Sequence, residues 1–253
     1  MRLRRGGCVD LVIVADDGGM SSGIDAGIRE AVEAGAVTAV SVLAHGQTTA
    51  VLLAWLRDRP DVGVGVHLAV GPAAGERGTP LGAAWSPRAT RALQVSFEAQ
   101  RRRVEDGLGR SIDHVDSHQH IHLLPWIRPA AEAVARCAGV RLRRPWEAGA
   151  APSVRARAMR LAAGGGPGPV GFVGFDPVPS GDVSALDARL RWLAARGVGQ
   201  VEWMVHPGRI SPDHPSWDGL RAPREAELAG LLHLATDWPA GWRRCRALPS
   251  GGG

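Results

Sequence analysis

The sequence predicts an α/β fold, a single-domain distorted (β/α) barrel of about seven β-α units with a mostly parallel sheet. Short runs of β-branched residues alternate with longer amphipathic stretches, which is typical of a parallel sheet covered by helices. The predicted strands are almost continuously apolar, which indicates burial on both faces. An open doubly wound sheet is the alternative, but ADDGG, rather than a glycine-rich nucleotide-binding motif, follows the first strand.

The predicted strands are short runs that contain β-branched residues. These runs are residues 9–15, 37–43, 62–68, 111–118, 140–144, 170–175 and 199–206. The first helix begins at Ser21 or Ser22, either of which can cap it, buries Ile24 and Ile28, and ends near Gly35. Further helices are predicted, because apolar residues recur every three or four positions, roughly over 47–58, 88–109, 126–138, 152–163, 184–196 and 223–236.

The composition favours one soluble catalytic domain over residues 1–249, followed by a flexible tail at 250–253. The apolar fraction of 45% is ordinary for a globular core. The net charge of +5 comes from scattered arginines without any lysine, so we do not expect nucleic-acid binding. No segment has the apolar length of a membrane span, and the apolar run near the N-terminus is too short for an export signal. With three widely separated cysteines, these features predict a cytoplasmic protein.

Acidic and imidazole side chains follow several predicted strands at their carboxyl ends, where parallel α/β folds place active sites. Asp16 and Asp17 follow the first strand, His67 ends the third, and Glu202 and His206 are assigned to the end of the seventh. A single histidine of this kind is more often a hydrogen-bonded core residue, and an aspartate pair can belong to a helix cap. The recurrence at several strand ends predicts a real site.

Residues 114–125, HVDSHQHIHLLP, contain the densest group of imidazoles. Alternation along a strand would place Asp116, His118, His120 and His122 on one face. One carboxylate oxygen and two neutral imidazoles, with positions open to water, suit Zn²⁺ or a neighbouring divalent ion. The sequence leaves open which of the histidines bind the metal.

Four segments resemble the YdjC-like carbohydrate deacetylases, also called the ChbG/HpnK family. They are the stretch at 12–43 that contains VIVADDGG, VGVHLAV at 64–70, HVDSHQHIHLLP at 114–125 and EWMVHPG at 202–208. The resemblance implies a distorted barrel that removes the acetyl group from an N-acetylated sugar or glycoconjugate. It also implies one divalent metal ion, with Zn²⁺ favoured and Mg²⁺ or another divalent ion as the alternative. The family type is compatible with a homodimer.

Carried onto this chain, the resemblance assigns a role to each residue of the site. Asp17 would bind the metal through its carboxylate, and His67 and His118 would be the imidazole ligands. Asp16 would be the general base that takes a proton from water, and His206 the acid that protonates the departing amine.

The remaining candidates would support the metal ligands or touch the substrate. His120 is the alternative to His118 as ligand, and otherwise His120 and Asp116 orient a ligand or contact substrate. Arg209 is a further substrate-side candidate. Indole rings stack on sugar faces but more often fill cores, so five tryptophans are candidates and the first is favoured: Trp85, Trp126, Trp146, Trp203 and Trp217.

Two departures from the family pattern bear on substrate recognition. Gly18 stands where the family has an aromatic residue, so one wall of the sugar pocket is expected to be missing. Asp25 replaces an asparagine in the first helix. Another barrel metallohydrolase, acting on a non-sugar amide or an ester, is therefore the alternative function. A phosphoesterase would use cations such as Arg143, Arg144 and Arg209, and a non-catalytic relative is the third possibility.

Overall fold

The computed structural model describes residues 9–74, 87–150, 152–164, 168–174, 183–236, 238 and 241–248. Within these residues, eight strands form one sheet in which all pairings are parallel. The strands are β1 (Val9–Gly18), β2 (Ala39–Val42), β3 (Gly63–Leu68), β4 (His114–Ser117), β5 (Arg141–Leu142), β6 (Val170–Val173), β7 (Gln200–Val205) and β8 (Trp242–Arg244). The seven predicted strands are confirmed, and β8, a polar three-residue strand, is additional.

Helices connect the strands. They are α1 (Ser22–Glu33), α2 (Thr49–Arg57), α3 (Pro87–Leu108), α4 (Arg128–Ala138), α5 (Val154–Ala163), α6 (Val183–Ala194) and α7 (Arg221–Thr236). As predicted, the hydroxyl of Ser21 caps α1 by accepting from the amide of Ile24. Among the described helices, none is both long and apolar enough to cross a bilayer.

The strand order is β5-β4-β3-β2-β1-β7-β6, with β8 paired to the start of β1. The two outer strands do not pair along their length. Instead, Glu147, five residues after β5, forms a single parallel bridge to Phe172 of β6. The sheet therefore curls into an incompletely closed barrel, which confirms the predicted fold class.

The core lies between the sheet and its helices. Leu11 and Ile13 of β1 are fully buried and share one apolar cluster with Ile24 and Ile28 of α1. Because every strand is parallel, the carboxyl ends of β1, β3, β4 and β7 lie at one edge of the sheet. The division into a domain at 1–249 and a tail stays a prediction, and the tail lies outside the described residues.

The fourth strand is shorter than predicted. It ends at Ser117 rather than His118, and a 3₁₀ segment follows at His118–Leu123. Gln119 and His120 have φ of 53° and 54° there, the left-handed region that extended strands do not use. The predicted alternation of side chains therefore stops at Ser117.

Candidate active site

Two consecutive carboxylates reach the same site because β1 carries an irregularity. The pairing with β2 runs Ala15 to Val40 and then Gly18 to Val42, so three steps along β1 match two steps along β2. Asp17 within this stretch has φ of 66°. A bulge of this kind turns a side chain that would otherwise point to the other face. Asp16 and Asp17 are both buried and both line one cavity.

His67 and Asp116 are direct neighbours on adjacent strands, β3 and β4. The Nδ1 atom of His67 lies 2.8 Å from Oδ1 of Asp116, which also accepts a hydrogen bond from the hydroxyl of Ser41. Burial lowers the pKa of His67, but the carboxylates of Asp116, Asp16 and Asp17 outweigh it and raise that pKa to about 10. Asp116 thus fixes the ring of His67 and directs its Nε2 towards Asp17.

His67 and His118 converge on one oxygen of Asp17. Oδ1 of Asp17 lies 3.3 Å from Nε2 of His67 and 2.9 Å from Nδ1 of His118. Burial raises the pKa of the Asp17 carboxyl, but these hydrogen bonds and the Arg224 guanidinium hold it well below its usual range. Three candidate ligand atoms therefore meet at the end of β1.

The other histidines of the 114–125 segment are placed differently. His122 is buried with its Nδ1 2.6 Å from the hydroxyl of Ser117, and His114 is buried against Gly65. His120 lines the cavity. Burial is the largest cause of a lowered pKa in His120, His122 and His114, so these imidazoles are neutral. The expectation that His118, His120 and His122 share a strand face is wrong, because the strand has already ended.

Arg143 follows β5 and its side chain is fully buried among three carboxylates. It donates to both oxygens of Asp16 at 2.5 and 2.8 Å, and its Nη2 lies 2.6 Å from Oδ2 of Asp116. Its Nε donates to Glu202 at 2.5 Å, and Glu202 also accepts from Arg141. Burial raises the pKa of Glu202, but the two arginines bring it to about 2.

The position of Glu202 corrects the sequence analysis. It is the third residue of β7, opposite Val12 of β1, and not at the carboxyl end of the strand. Its charge is the counter-charge of Arg143, which explains a carboxylate inside an otherwise apolar strand. Glu202 does not line the cavity.

Within the described residues, two groups of side chains could hold a metal ion. One consists of Asp17, His67 and His118, and the other of Asp16, His67 and Asp116; in each, the ligand atoms lie within 4.8 Å of one another. In the second group the Arg143 guanidinium already occupies both oxygens of Asp16 and lies against Oδ2 of Asp116, whose Oδ1 is bonded to His67 and Ser41. The first group lines the cavity and offers one carboxylate oxygen and two imidazole nitrogens, which fits a divalent ion such as zinc.

His206 follows β7 and lies beside Asp16. Its Nε2 is 4.0 Å from Oδ2 of Asp16, and its Nδ1 is 4.0 Å from Oε2 of Glu227. The backbone amide of His206 donates to the same Glu227 oxygen at 2.8 Å. Burial raises the pKa of Glu227. The imidazole is therefore held between two carboxylates at the cavity wall.

The cavity has a volume of about 570 Å³, within the range of roughly 300–1,000 Å³ that small-molecule sites occupy. Trp217 is 46% exposed at this cavity, and its ring stands edge-on to His118 at 5.7 Å. Of the candidate tryptophans, Trp203 is buried in the core and Trp146 stacks on Trp192. The favoured Trp85 lies outside the described residues.

Three side chains of this site have no signal in the sequence that identifies their role. The sequence predicts Arg143 only as a phosphate-binding cation, and Glu227 and Arg224 on α7 belong to no motif. Arg224 is buried and donates to Oδ2 of Asp17. Arg209, in contrast, bonds to Glu30 at the surface and does not line the cavity.

Known proteins resemble this chain in sequence. The sequence pattern of the YdjC-like protein family matches residues 10–237. The chain belongs to the YdjC-like family. A chitooligosaccharide deacetylase of Klebsiella pneumoniae is 30% identical over 79% of this chain and 82% of that protein. A carbohydrate deacetylase of Mus musculus is 36% identical over 54% of this chain, and the match spans only 50% of the mouse protein.

Solved structures resemble this YdjC-like chain in fold. A protein of Enterococcus faecalis V583 described as a cellobiose-phosphate cleavage protein has a TM-score of 0.64 at 21% identity, over 89% of this chain and 91% of that chain. The catalytic domain of a peptidoglycan N-acetylglucosamine deacetylase from Eubacterium rectale has a TM-score of 0.51 at 10% identity, over 97% and 91% of the two chains. At such identities the likeness concerns the fold alone.

Gly18, which stands where the YdjC-like family has an aromatic residue, lies away from the cavity. A Cβ atom on Gly18 would lie 2.9 Å from side-chain atoms of Leu52 and Val40, and Gly18 does not line the cavity. The position faces packed apolar side chains of β2 and α2. The expectation that Gly18 removes a wall of the sugar pocket is therefore wrong.

Proposed function

We propose that this chain is a metal-dependent deacetylase that hydrolyses the N-acetyl amide of an amino sugar or of a sugar-bearing small molecule. The observation that carries the proposal is the convergence of Asp17, His67 and His118 at a cavity that Asp16 and His206 also line. The names of the Klebsiella and mouse relatives support the reaction and the class of substrate.

Asp17, His67 and His118 would hold the ion. Two imidazoles and one carboxylate oxygen favour Zn²⁺ over Mg²⁺, because Mg²⁺ prefers oxygen ligands in a strict octahedron. When bound, the ion would polarise the amide carbonyl and lower the pKa of water, the standard contributions of a hydrolytic metal. Asp116 supports this role, because its contact with Nδ1 fixes the His67 ring and leaves Nε2 for the ion.

Asp16 and His206 would move the protons. Arg143 holds both oxygens of Asp16 and keeps the carboxylate in place, so that it can accept a proton from the attacking water. His206, 4.0 Å away, would deliver a proton to the departing amine nitrogen. Glu227 orients His206 through its backbone amide and faces its Nδ1.

Trp217 is the proposed sugar contact. It is the one candidate tryptophan that lines the cavity within the described residues, and nearly half of its surface is free. An indole presents an apolar face to the C–H side of a sugar ring. The ring lies 5.7 Å from that of His118, which supports a sugar contact beside the proposed metal site.

The structure gives less support to a phosphoesterase. Arg143 is buried and bonded to three carboxylates, Arg144 donates to the carbonyls of Ala163 and Gly164, and Arg209 bonds to Glu30. These three cations are therefore committed to other partners. The cytoplasmic location, the homodimer and the lack of nucleic-acid binding stay predictions of the sequence.

Metal analysis and acetate release test the proposal. Purified protein should contain about one divalent ion per chain, and Asp17→Ala should lose it because one of three ligands is removed. N-acetylglucosamine and its oligomers should yield acetate. Asp16→Asn should keep the metal and lose activity by at least about 100-fold, the lower range for a general base.

Two results would count against these assignments. Metal that survives Asp17→Ala would show that the ion binds elsewhere, and near-normal turnover in Asp16→Asn would assign the base to another group. A metal-loaded enzyme that releases no acetate from any of these sugars would redirect the proposal to a non-sugar amide. Arg246→Met, which breaks an exposed pair with Asp113, serves as the control for substitution alone.

A further inference from the structure

Arg224, like Arg143, is an arginine whose side chain the fold buries almost completely. It lies in the first turn of α7, and its Nη2 donates to Oδ2 of Asp17 at 2.6 Å. A buried guanidinium on a carboxylate gives one of the stronger hydrogen bonds available to proteins. The partner oxygen belongs to the residue proposed as the anionic metal ligand.

The two oxygens of the Asp17 carboxylate therefore have different partners. Oδ1 faces Nε2 of His67 and Nδ1 of His118, whereas Oδ2 is occupied by Arg224. The carboxylate can offer only Oδ1 to an ion that His67 and His118 also bind. A two-oxygen, bidentate contact would require Oδ2 to leave the guanidinium.

Arg224 is itself held from its other side. Its Nε donates to Oδ2 of Asp218 at 2.8 Å, and the same oxygen lies 2.9 Å from Nε2 of His214. The carbon chain of Arg224 passes close to the backbone of Gly208, where a Cβ atom would lie only 3.1 Å from its Cδ. The guanidinium therefore has little freedom to follow Asp17 if the carboxylate rotates.

We propose that Arg224 is a positioning residue that keeps Asp17 monodentate and thereby selects the metal. This inference rests on the proposed function, because it assumes an ion at Asp17, His67 and His118. Zn²⁺ is satisfied by four ligands, of which one carboxylate oxygen is enough. Ca²⁺ requires six to eight oxygens and often takes both oxygens of a carboxylate. Holding Oδ2 away from the ion therefore disfavours Ca²⁺ relative to Zn²⁺.

The test compares metal affinities of the full-length protein. Dissociation constants for Zn²⁺ and Ca²⁺ are measured by competition with a chromophoric chelator for wild type, Arg224→Met and Arg224→Lys. In Arg224→Met, the ratio of Ca²⁺ to Zn²⁺ affinity should rise by about tenfold or more, the scale on which partners of metal ligands act. Arg224→Lys should stay near wild type, because an ammonium group can still occupy Oδ2.

Infrared difference spectra provide a second readout that does not depend on activity. With ¹³C-labelled aspartate, the metal-bound minus metal-free spectrum of wild type should show the wide separation of carboxylate stretches that marks monodentate binding. Arg224→Met should show the narrow separation of a bidentate carboxylate. Arg110→Met is the matched control, because it removes a half-buried arginine paired with Asp113, which precedes β4 at the opposite end of the sheet.

An unchanged affinity ratio together with an unchanged spectrum in Arg224→Met would overturn the inference. If this variant does not fold, Asp218→Ala replaces it, since it removes the oxygen that accepts from Nε of Arg224 and should shift the ratio in the same direction. An unchanged ratio in Asp218→Ala would overturn the inference as well. The proposed function fails separately, when Asp17→Ala retains its metal. Loss of metal in Asp17→Ala with no effect of Arg224→Met would overturn the selection role alone.

Discussion

Asp25 is a carboxylate in an unfavourable place. It lies in the first turn of α1, is 4% exposed, and accepts a hydrogen bond from the amide of Gly19 at 2.7 Å. Burial raises the pKa of Asp25 to about 6, and the hydroxyl of Thr48 and the Gly19 amide offset only part of that effect. Asp25 stands where the family usually has asparagine, so Asp25→Asn is the natural perturbation.

The magnitude follows from the difference in pKa between the folded and unfolded chain. An unfolded aspartate has a pKa of about 3.9, and each pKa unit corresponds to about 1.4 kcal/mol. Between about pH 4 and pH 6 the folded protein keeps a proton on Asp25 that the unfolded chain has released, so the free energy of unfolding falls as pH rises. Above pH 6 the wild type is therefore less stable by about 3 kcal/mol than it would be with a neutral group there.

Asp25→Asn should remove this loss, because the amide oxygen can still accept from Gly19 without a buried charge. Urea denaturation at pH 4, 6 and 8 measures the effect as the difference in unfolding free energy between variant and wild type. We expect a difference near zero at pH 4 that grows to about 3 kcal/mol in favour of the variant at pH 8. Asp58→Asn, on an exposed carboxylate at the end of α2, is the control for substitution at the surface and should change the free energy of unfolding by no more than about 0.5 kcal/mol. A pH-independent difference for Asp25→Asn, or a loss of stability at pH 8, would refute the reasoning.

Two further predictions concern the buried ion pairs and the cavity. Arg143→Met should destabilise the protein by about 3–5 kcal/mol in urea denaturation, because three buried carboxylates lose their shared cation. The control Arg246→Met removes an exposed pair and should cost less than about 1 kcal/mol. A loss of stability in that low range for Arg143→Met would contradict the prediction. Trp217→Ala should raise KM for an N-acetylated sugar several-fold, on the scale of about 1 kcal/mol for an aromatic contact, and should leave the melting temperature unchanged because the ring is half exposed. An unaltered KM would place the sugar elsewhere in the cavity.

The fold was predictable because buried strand and helix positions are occupied by apolar residues, which recur in the sequence at regular spacing. Strands such as β1 and β3 are apolar at every described position before their polar ends, apart from Asp10 of β1 and the glycines of β3. Asp16, Asp17 and His67 could be proposed as site residues because they lie at the polar ends of such runs. The choice of His118 among the histidines came from the resemblance to the YdjC-like family. The limit of strand β4 could not be predicted, since the left-handed turn at Gln119 and His120 uses residues without a strong turn preference.

Contacts between residues far apart in the chain could not be predicted from the sequence. Arg143 and Asp16 are 127 positions apart, and Arg224 and Asp17 are 207 positions apart. Neither arginine differs in its local pattern from the many arginines at the surface. Only the fold shows that these two are buried, and burial is what makes their charges matter.

The two arginines also explain why adjacent aspartates can have different roles. In a regular strand, the side chains of Asp16 and Asp17 would point to opposite faces of the sheet. The bulge brings both to the cavity. It also puts Asp17 in the left-handed region, a backbone conformation that costs about 1–3 kcal/mol for a residue other than glycine. Arg143 holds both oxygens of Asp16, so that carboxylate is poorly placed to bind an ion and is fixed in position for proton transfer. Arg224 holds only one oxygen of Asp17 and leaves the other facing two imidazoles. The proposed division into base and metal ligand therefore follows from which oxygens each arginine leaves available.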